Sequence, residues 1–140
     1  MYDPWLILFL LFGFLIFLTG LDHMVTGVLA EGLPPDGTFQ SYALWVTGLV
    51  FFVGMAFANS APTPRLQLLH FVSVLWTWVG GSLDFLYFMM RGEIPAYNKV
   101  WTWIPGNPTT AKWALWAFGT LVALITVWAT VFYYPGFWGV

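Results

Sequence analysis

Long apolar runs alternate with short polar segments along the chain, and this pattern predicts helices that cross a membrane. The first run begins at Asp3-Pro4, an N-cap residue followed by proline at the first helical position, and the next proline is Pro34. Thr63-Pro64 repeats this start for the third run. The four predicted helices span about 4–31, 40–59, 64–91 and 110–134.

The connections between these helices favour an all-α, up-down four-helix bundle in the membrane. The first two connections are short, and short connections join antiparallel neighbours. The third runs for eighteen residues from Gly92 to Thr109 and carries Trp101 and Trp103, so we expect it to lie on the interface as a lid or as a contact for another subunit. Residues 1–140 are predicted to form a single transmembrane domain.

Composition agrees with this prediction. The chain is 60% hydrophobic and 7% charged, whereas soluble domains carry roughly a quarter charged residues. The apolar helix faces must therefore meet lipid or other protein. The first run is preceded by Asp3 and by no Lys or Arg, and it lacks a convincing small-residue cleavage site, so we interpret it as a retained helix rather than a secretory signal.

Charge and cysteine content narrow the chemistry. A formal charge of −2 gives no broad basic face, which argues against nucleic acid as a partner. The absence of cysteine excludes disulfides, thiolate metal sites and cysteine nucleophiles. Arg91, Lys99 and Lys112 lie on one side of the predicted bundle and Arg65 on the other, so the positive-inside rule places both termini on the non-cytoplasmic side.

Polar residues concentrate near one end of the predicted bundle. The first and third helices run in the same direction, so Asp22 and His23, about eighteen residues into one, fall at the depth of Asp84, about twenty into the other. Side chains three, four and seven residues apart share a helix face. The candidate polar cluster that results is Asp22, His23, Glu31, Asp84, Tyr87 and Arg91.

This cluster has a functional and a structural interpretation. Carboxylates and imidazole in a partly dry setting can relay protons, hold a metal ion or anchor a polar headgroup. In the structural interpretation, Asp84 and Arg91 form an ion pair that ends a helix, and Asp22 hydrogen-bonds Thr19 or Thr26. The structural interpretation is favoured, and no metal site is assigned.

The two histidines are also candidate axial ligands for a haem or a chlorophyll-type pigment. They cannot share one iron, because His23 and His70 belong near opposite faces, about 20 Å apart at about 1.5 Å per residue. A lone histidine near a helix start is more often a packing or interfacial residue, so the sequence names no cofactor.

Motifs that would identify an enzyme are missing: the sequence has no Gly-rich phosphate loop, no His-Glu-x-x-His zinc helix and no Gly-x-Ser-x-Gly elbow. Gly80-Gly81 lies inside an apolar run, where it predicts close packing or a flexing point rather than a phosphate cradle. On these grounds the sequence favours a protein that is not an enzyme.

The stretch Phe12-Gly13-Phe14-Leu15-Ile16-Phe17-Leu18-Thr19-Gly20-Leu21-Asp22-His23-Met24 resembles the opening helix of DoxX-like membrane proteins, small four-helix proteins with a similar Gly-rich apolar start. It covers about a tenth of the chain, and Gln40-Ser41-Tyr42 stands where that family would carry an acidic residue. The resemblance implies association with redox or quinone-linked membrane partners, and it assigns no catalytic residue.

The sequence therefore favours a non-catalytic accessory or structural subunit of a larger membrane-embedded complex, energy-converting or oxidising, with the lipid bilayer and other membrane subunits as partners. One alternative is a stand-alone transporter, proton-relay or lipid-modifying protein that uses the Asp/His cluster. A second is a haem- or pigment-binding membrane subunit.

Overall fold

The structure, a computed structural model, describes residues 3–29, 38–91 and 109–140, and the regular elements in these ranges are helices. The prediction of an all-α fold is confirmed for them. The connection that holds Trp101 and Trp103 lies outside the described residues. The helices are α1 (Pro4–Leu29), α2 (Thr38–Asn59), α3 (Pro64–Val79), α4 (Ser82–Arg91), α5 (Thr109–Tyr133) and α6 (Pro135–Trp138).

Two helix starts form as their sequences predict. The Leu6 backbone N–H donates to Asp3 Oδ1 over 2.7 Å, and the Leu66 N–H donates to Thr63 Oγ1 over 3.2 Å. Each cap satisfies one of the amide groups that a helix leaves without an internal partner, and each is followed by proline. These local signals fix where α1 and α3 begin.

The third predicted helix requires a correction, because the stretch 64–91 forms two helices rather than one. α3 ends at Val79 and α4 begins at Ser82. Gly81 lies between them with φ of 99°, a left-handed conformation that side chains other than glycine's rarely adopt. A Cβ at this position would also lie 2.9 Å from Trp116 Cδ1, so the break is shaped by α5 as well.

The core lies where these helices meet. α2 and α3, joined by residues 60–63, form the most extensive pair, while α1 packs against α2, α4 and α5. One face of α1 is buried, and its residues recur at helical spacing. The fully or almost fully buried residues of that face are Ile7, Leu11, Leu15 and Leu18.

The outer surface is also apolar. Phe9 is 76% exposed and Phe118 is 66% exposed. The segments Pro4–Asp22 and Ala114–Tyr133 are long and apolar enough to cross a membrane, and 28% of each is buried inside the protein. Most of both segments therefore faces outward, which distinguishes them from the core helices of a soluble protein. Val46–Asn59 is a shorter apolar segment.

The α3–α4 junction touches α5 backbone to backbone. A Cβ on Gly80 would lie 2.7 Å from the Gly119 carbonyl oxygen, and a Cβ on Gly119 would overlap the Gly80 carbonyl oxygen. Neither obstacle is a flexible side chain, so any larger residue would push the two helices apart. The close packing that the sequence predicts at Gly80 is confirmed, with Gly119 as its partner.

Substitution Gly119→Ala is expected to destabilise the protein by about 1–3 kcal/mol, because the added methyl group overpacks a contact between two backbones. The measurement is the thermal unfolding midpoint in mild detergent. Gly48→Ala is the matched control, since a Cβ at this helical glycine meets nothing within 4 Å. Equal midpoints for the two variants would contradict the assigned contact.

Candidate functional site

Of the six residues in the predicted polar cluster, the structure describes the side chain of one, Asp22. Asp22 lies on α1 and is 0% exposed. The structure does not describe the remaining members' side chains, so their assembly into one site stays a prediction. Those members are His23, Glu31, Asp84, Tyr87 and Arg91.

Thr19, one helical turn before Asp22, is one of the two hydrogen-bond partners that the structural interpretation gives this carboxylate. Thr19 is buried, and its hydroxyl donates to the Leu15 carbonyl over 2.8 Å. A hydroxyl has one proton to donate and an ionised carboxylate can only accept. Thr19 therefore does not supply a proton to an ionised Asp22. Thr26, the other candidate from the sequence, has a side chain outside the described residues.

Three other buried hydroxyl groups follow the same pattern. Ser73 donates to Leu69, Thr77 to Ser73 and Thr120 to Trp116, each to the carbonyl four residues earlier and over 2.6 to 2.9 Å. A hydroxyl group that donates to a carbonyl of its own helix can be buried without the cost of a missing hydrogen bond. These small polar residues thus serve helix packing in a dry interior.

His70 links α3 to the end of α2. Its Nδ1 lies 3.0 Å from the Phe57 carbonyl oxygen and 3.4 Å from Ser60 Oγ, and its ring stacks on the Phe57 ring with centroids 3.9 Å apart. A carbonyl can only accept, so Nδ1 carries a proton and donates it. That carbonyl lies in the last turn of α2. It also accepts from the Ser60 backbone N–H over 3.1 Å and from Ser60 Oγ over 2.6 Å, so His70 is one of three donors to it.

His70 therefore has a structural role that the sequence raised in outline, as a packing residue, without naming its partner. The partner lies thirteen positions earlier, beyond any local motif. Axial ligation by His70 or His23 stays a prediction, and the His23 side chain lies outside the described residues.

The C-terminal helix α6 folds back onto α3. The Arg65 guanidinium donates to the Phe137 carbonyl over 3.3 Å and lies 5.3 Å from the centre of the Phe137 ring. Trp138 packs against the hydrophobic core. This cation–π and hydrogen-bonded contact holds the C-terminal segment at the end of the bundle that carries the α2–α3 turn.

A shallow groove on the outer face of α1, called here the α1 groove, has a volume of about 560 Å³ and a nearly all-apolar lining. Gly13 is exposed in it, and a Cβ at Gly13 would meet nothing within 4 Å. Packing within the chain thus does not require glycine here, although glycine inside a helix costs about 0.5–1 kcal/mol relative to alanine. The other lining residues are Phe9, Leu10, Phe12, Phe14, Ile16 and Phe17.

Comparison of the chain with protein-family models, with curated proteins and with solved structures finds no match. The resemblance of residues 12–24 to DoxX-like proteins accordingly stays a prediction. Function is inferred below from the geometry of this chain.

Substitution His70→Phe is expected to destabilise the protein by about 0.5–1.5 kcal/mol, since it keeps an aromatic ring against Phe57 and removes one of the three donors to the buried Phe57 carbonyl. His70→Ala should cost more, because it also opens a cavity. Unfolding midpoints of both variants in mild detergent test this order. A midpoint for His70→Phe equal to that of the original chain would show that the hydrogen bond contributes no stability.

Proposed function

We propose that the chain is an integral membrane four-helix protein that acts as a non-catalytic accessory or structural subunit of a larger membrane complex. α1 and α5 contain the two segments suited to span a bilayer. α2 has 22 residues, about 33 Å at about 1.5 Å per residue, and α3 with α4 supplies the remaining crossing. We place both termini on the non-cytoplasmic side, because Arg91, Lys99 and Lys112 belong to the opposite side.

The observation that carries this proposal is the exposed Gly13 in the α1 groove. In a bilayer, apolar side chains gain little by leaving lipid for protein, so helices associate through close packing at small residues. Gly13 lies between large outward-facing residues, including Phe9 and Phe17, and nothing inside the chain fills the space at its Cα. A helix of another subunit that crosses α1 at Gly13 would fill this space.

Gly80 and Gly119 provide the internal comparison. These two glycines already bring the α3–α4 junction into contact with α5, so their small size is explained within the chain. The small size of Gly13 has no such internal explanation. Gly48 is equally open, but Gly13 differs from it in lying in the α1 groove, which favours a partner there. The DoxX-like resemblance supports an energy-converting or oxidising complex as the assembly.

Extraction from the native membrane in mild detergent, followed by sizing and mass spectrometry, tests the proposal. We expect the original chain to migrate with partner subunits and Gly13→Leu to migrate largely without them, because the new side chain fills the groove. Gly48→Leu is the matched control, an exposed helical glycine with equally open surroundings.

Two results would overturn the subunit proposal. The first is an original chain that migrates alone and without colour. The second is an equal loss of partners in the Gly13→Leu and Gly48→Leu variants, which would separate the effect from the α1 groove. A visible absorbance spectrum that His70→Ala or His23→Ala removes would favour the pigment or haem alternative instead.

The enclosed carboxylate of Asp22 supports a second candidate function, proton relay by this chain alone. A charged Asp in a membrane helix costs about 2.5–3.5 kcal/mol at the bilayer centre on insertion scales and less near the interface, and such residues often mark proton pathways. Asp22 lies at the end of the candidate span Pro4–Asp22 and is 0% exposed.

Proton flux into vesicles distinguishes the two functions. The subunit proposal expects vesicles that contain the chain alone to leak protons no faster than protein-free vesicles, both for the original chain and for Asp22→Asn. The readout is a trapped pH-sensitive dye after an imposed pH gradient. A flux through the original chain that Asp22→Asn abolishes would replace the subunit proposal with proton relay.

A further inference from the structure

A second groove runs along the outside of the bundle between α3 and α5, called here the α3–α5 groove. Its lower part, next to Leu68 and Trp138, has a volume of about 220 Å³. Its upper part, next to Gly80, has a volume of about 230 Å³, and Trp76 lines both parts. The upper part ends at the contact of Gly80 with Gly119. Along α3 the lining residues recur every four positions: Leu68, Val72 and Trp76.

The dimensions of this groove suit one hydrocarbon chain. From Leu68 to Gly80 the helix rises about 18 Å at about 1.5 Å per residue, close to half of the roughly 30 Å hydrocarbon core. That is the depth of one lipid leaflet.

The lower mouth of the groove carries a cation. Arg65 precedes Leu68 by three residues and Val72 by seven, so it begins the stripe of α3 that lines the groove. Its guanidinium is held by the Phe137 carbonyl and by the Phe137 ring. A guanidinium has five N–H donors, so most remain for an anion. The amino end of α3 adds partial positive charge at the same place.

The mouth also carries aromatic side chains. Trp138 lines the lower part of the groove, and its indole Nε1 is buried, so a bound lipid would meet the ring rather than the N–H group. The exposed rings of Tyr133 and Tyr134 lie at this same end of the chain, the kind of aromatic belt that marks a membrane interface.

We propose that the α3–α5 groove is a phospholipid site: one hydrocarbon chain lies along Leu68, Val72 and Trp76, and Arg65 binds the phosphate. The proposal rests on the membrane insertion included in the proposed function and is independent of the subunit role. Charge complementarity selects the occupant, since an all-hydrocarbon or neutral ligand would leave Arg65 without a counterpart.

Native mass spectrometry of the full chain tests this site. The chain is released from micelles doped with palmitoyl-oleoyl phosphatidylglycerol or with palmitoyl-oleoyl glycerol, which has the same chains and no phosphate. We expect one bound phosphatidylglycerol and little retention of the diacylglycerol. Arg65→Gln should lower phospholipid retention about fivefold, the effect of one basic residue at a lipid surface.

The control is Lys112→Gln, which removes the same charge at the opposite end of α5 and should leave retention unchanged. Helix content by circular dichroism verifies that each variant is folded. Equal retention of both lipids, or equal losses for Arg65→Gln and Lys112→Gln, would overturn the proposal.

Photocrosslinking locates the bound chain. Vesicles of phosphatidylglycerol and phosphatidylcholine, with a diazirine in one phosphatidylglycerol chain, should label the α3 peptide that contains Val72 and Trp76 more than the outer face of α1. Labelling dominated by α1, or capture of a protein helix in the α3–α5 groove, would refute the phospholipid site. Failure of the chain to enter vesicles would instead refute membrane insertion, and native-membrane sizing tests the subunit role separately.

Discussion

The contact of the Gly80 and Gly119 backbones is the constraint on which the rest of the bundle depends. At this point the α3–α4 junction and α5 are as close as two chains can lie, since neither position has room for a Cβ. The approach determines where α3 must end, and Gly81 then turns the chain with a left-handed φ. It also closes the upper end of the α3–α5 groove.

The other end of the bundle is held by polar contacts of the backbone. His70 donates to the carbonyl of Phe57, and Gln67 Nε2 donates to that of Ala61 over 3.2 Å, so α3 supplies donors to carbonyls near the end of α2. Arg65 does the same for α6. In hydrocarbon, an unpaired backbone group costs several kcal/mol. Helix ends that are satisfied by neighbouring helices are therefore suited to the edge of a membrane.

Local signals explain which parts of this fold were predictable. The starts of α1 and α3 follow from a capping residue and a proline, which act within one helical turn. The break at Gly81 depends on Trp116 and on the approach of Gly119, more than thirty positions along the chain, so the apolar pattern alone predicted one continuous helix. The partner of His70 was missed for the same reason. Of the candidate polar cluster, the structure describes the burial of Asp22 but not the side chains of the other five members.

The two outer grooves differ in one physical respect that decides their occupants. The α1 groove is apolar along its described length and is centred on Gly13, so its complementarity is one of shape, which a closely packed helix can provide. The α3–α5 groove has an equally apolar lining but has Arg65 at its mouth, so its complementarity includes charge. A lipid there would fill one face of the bundle while α1 stays available to a protein. Under both proposals, separate faces for lipid and for partner would let this small chain lie at the boundary of a larger assembly.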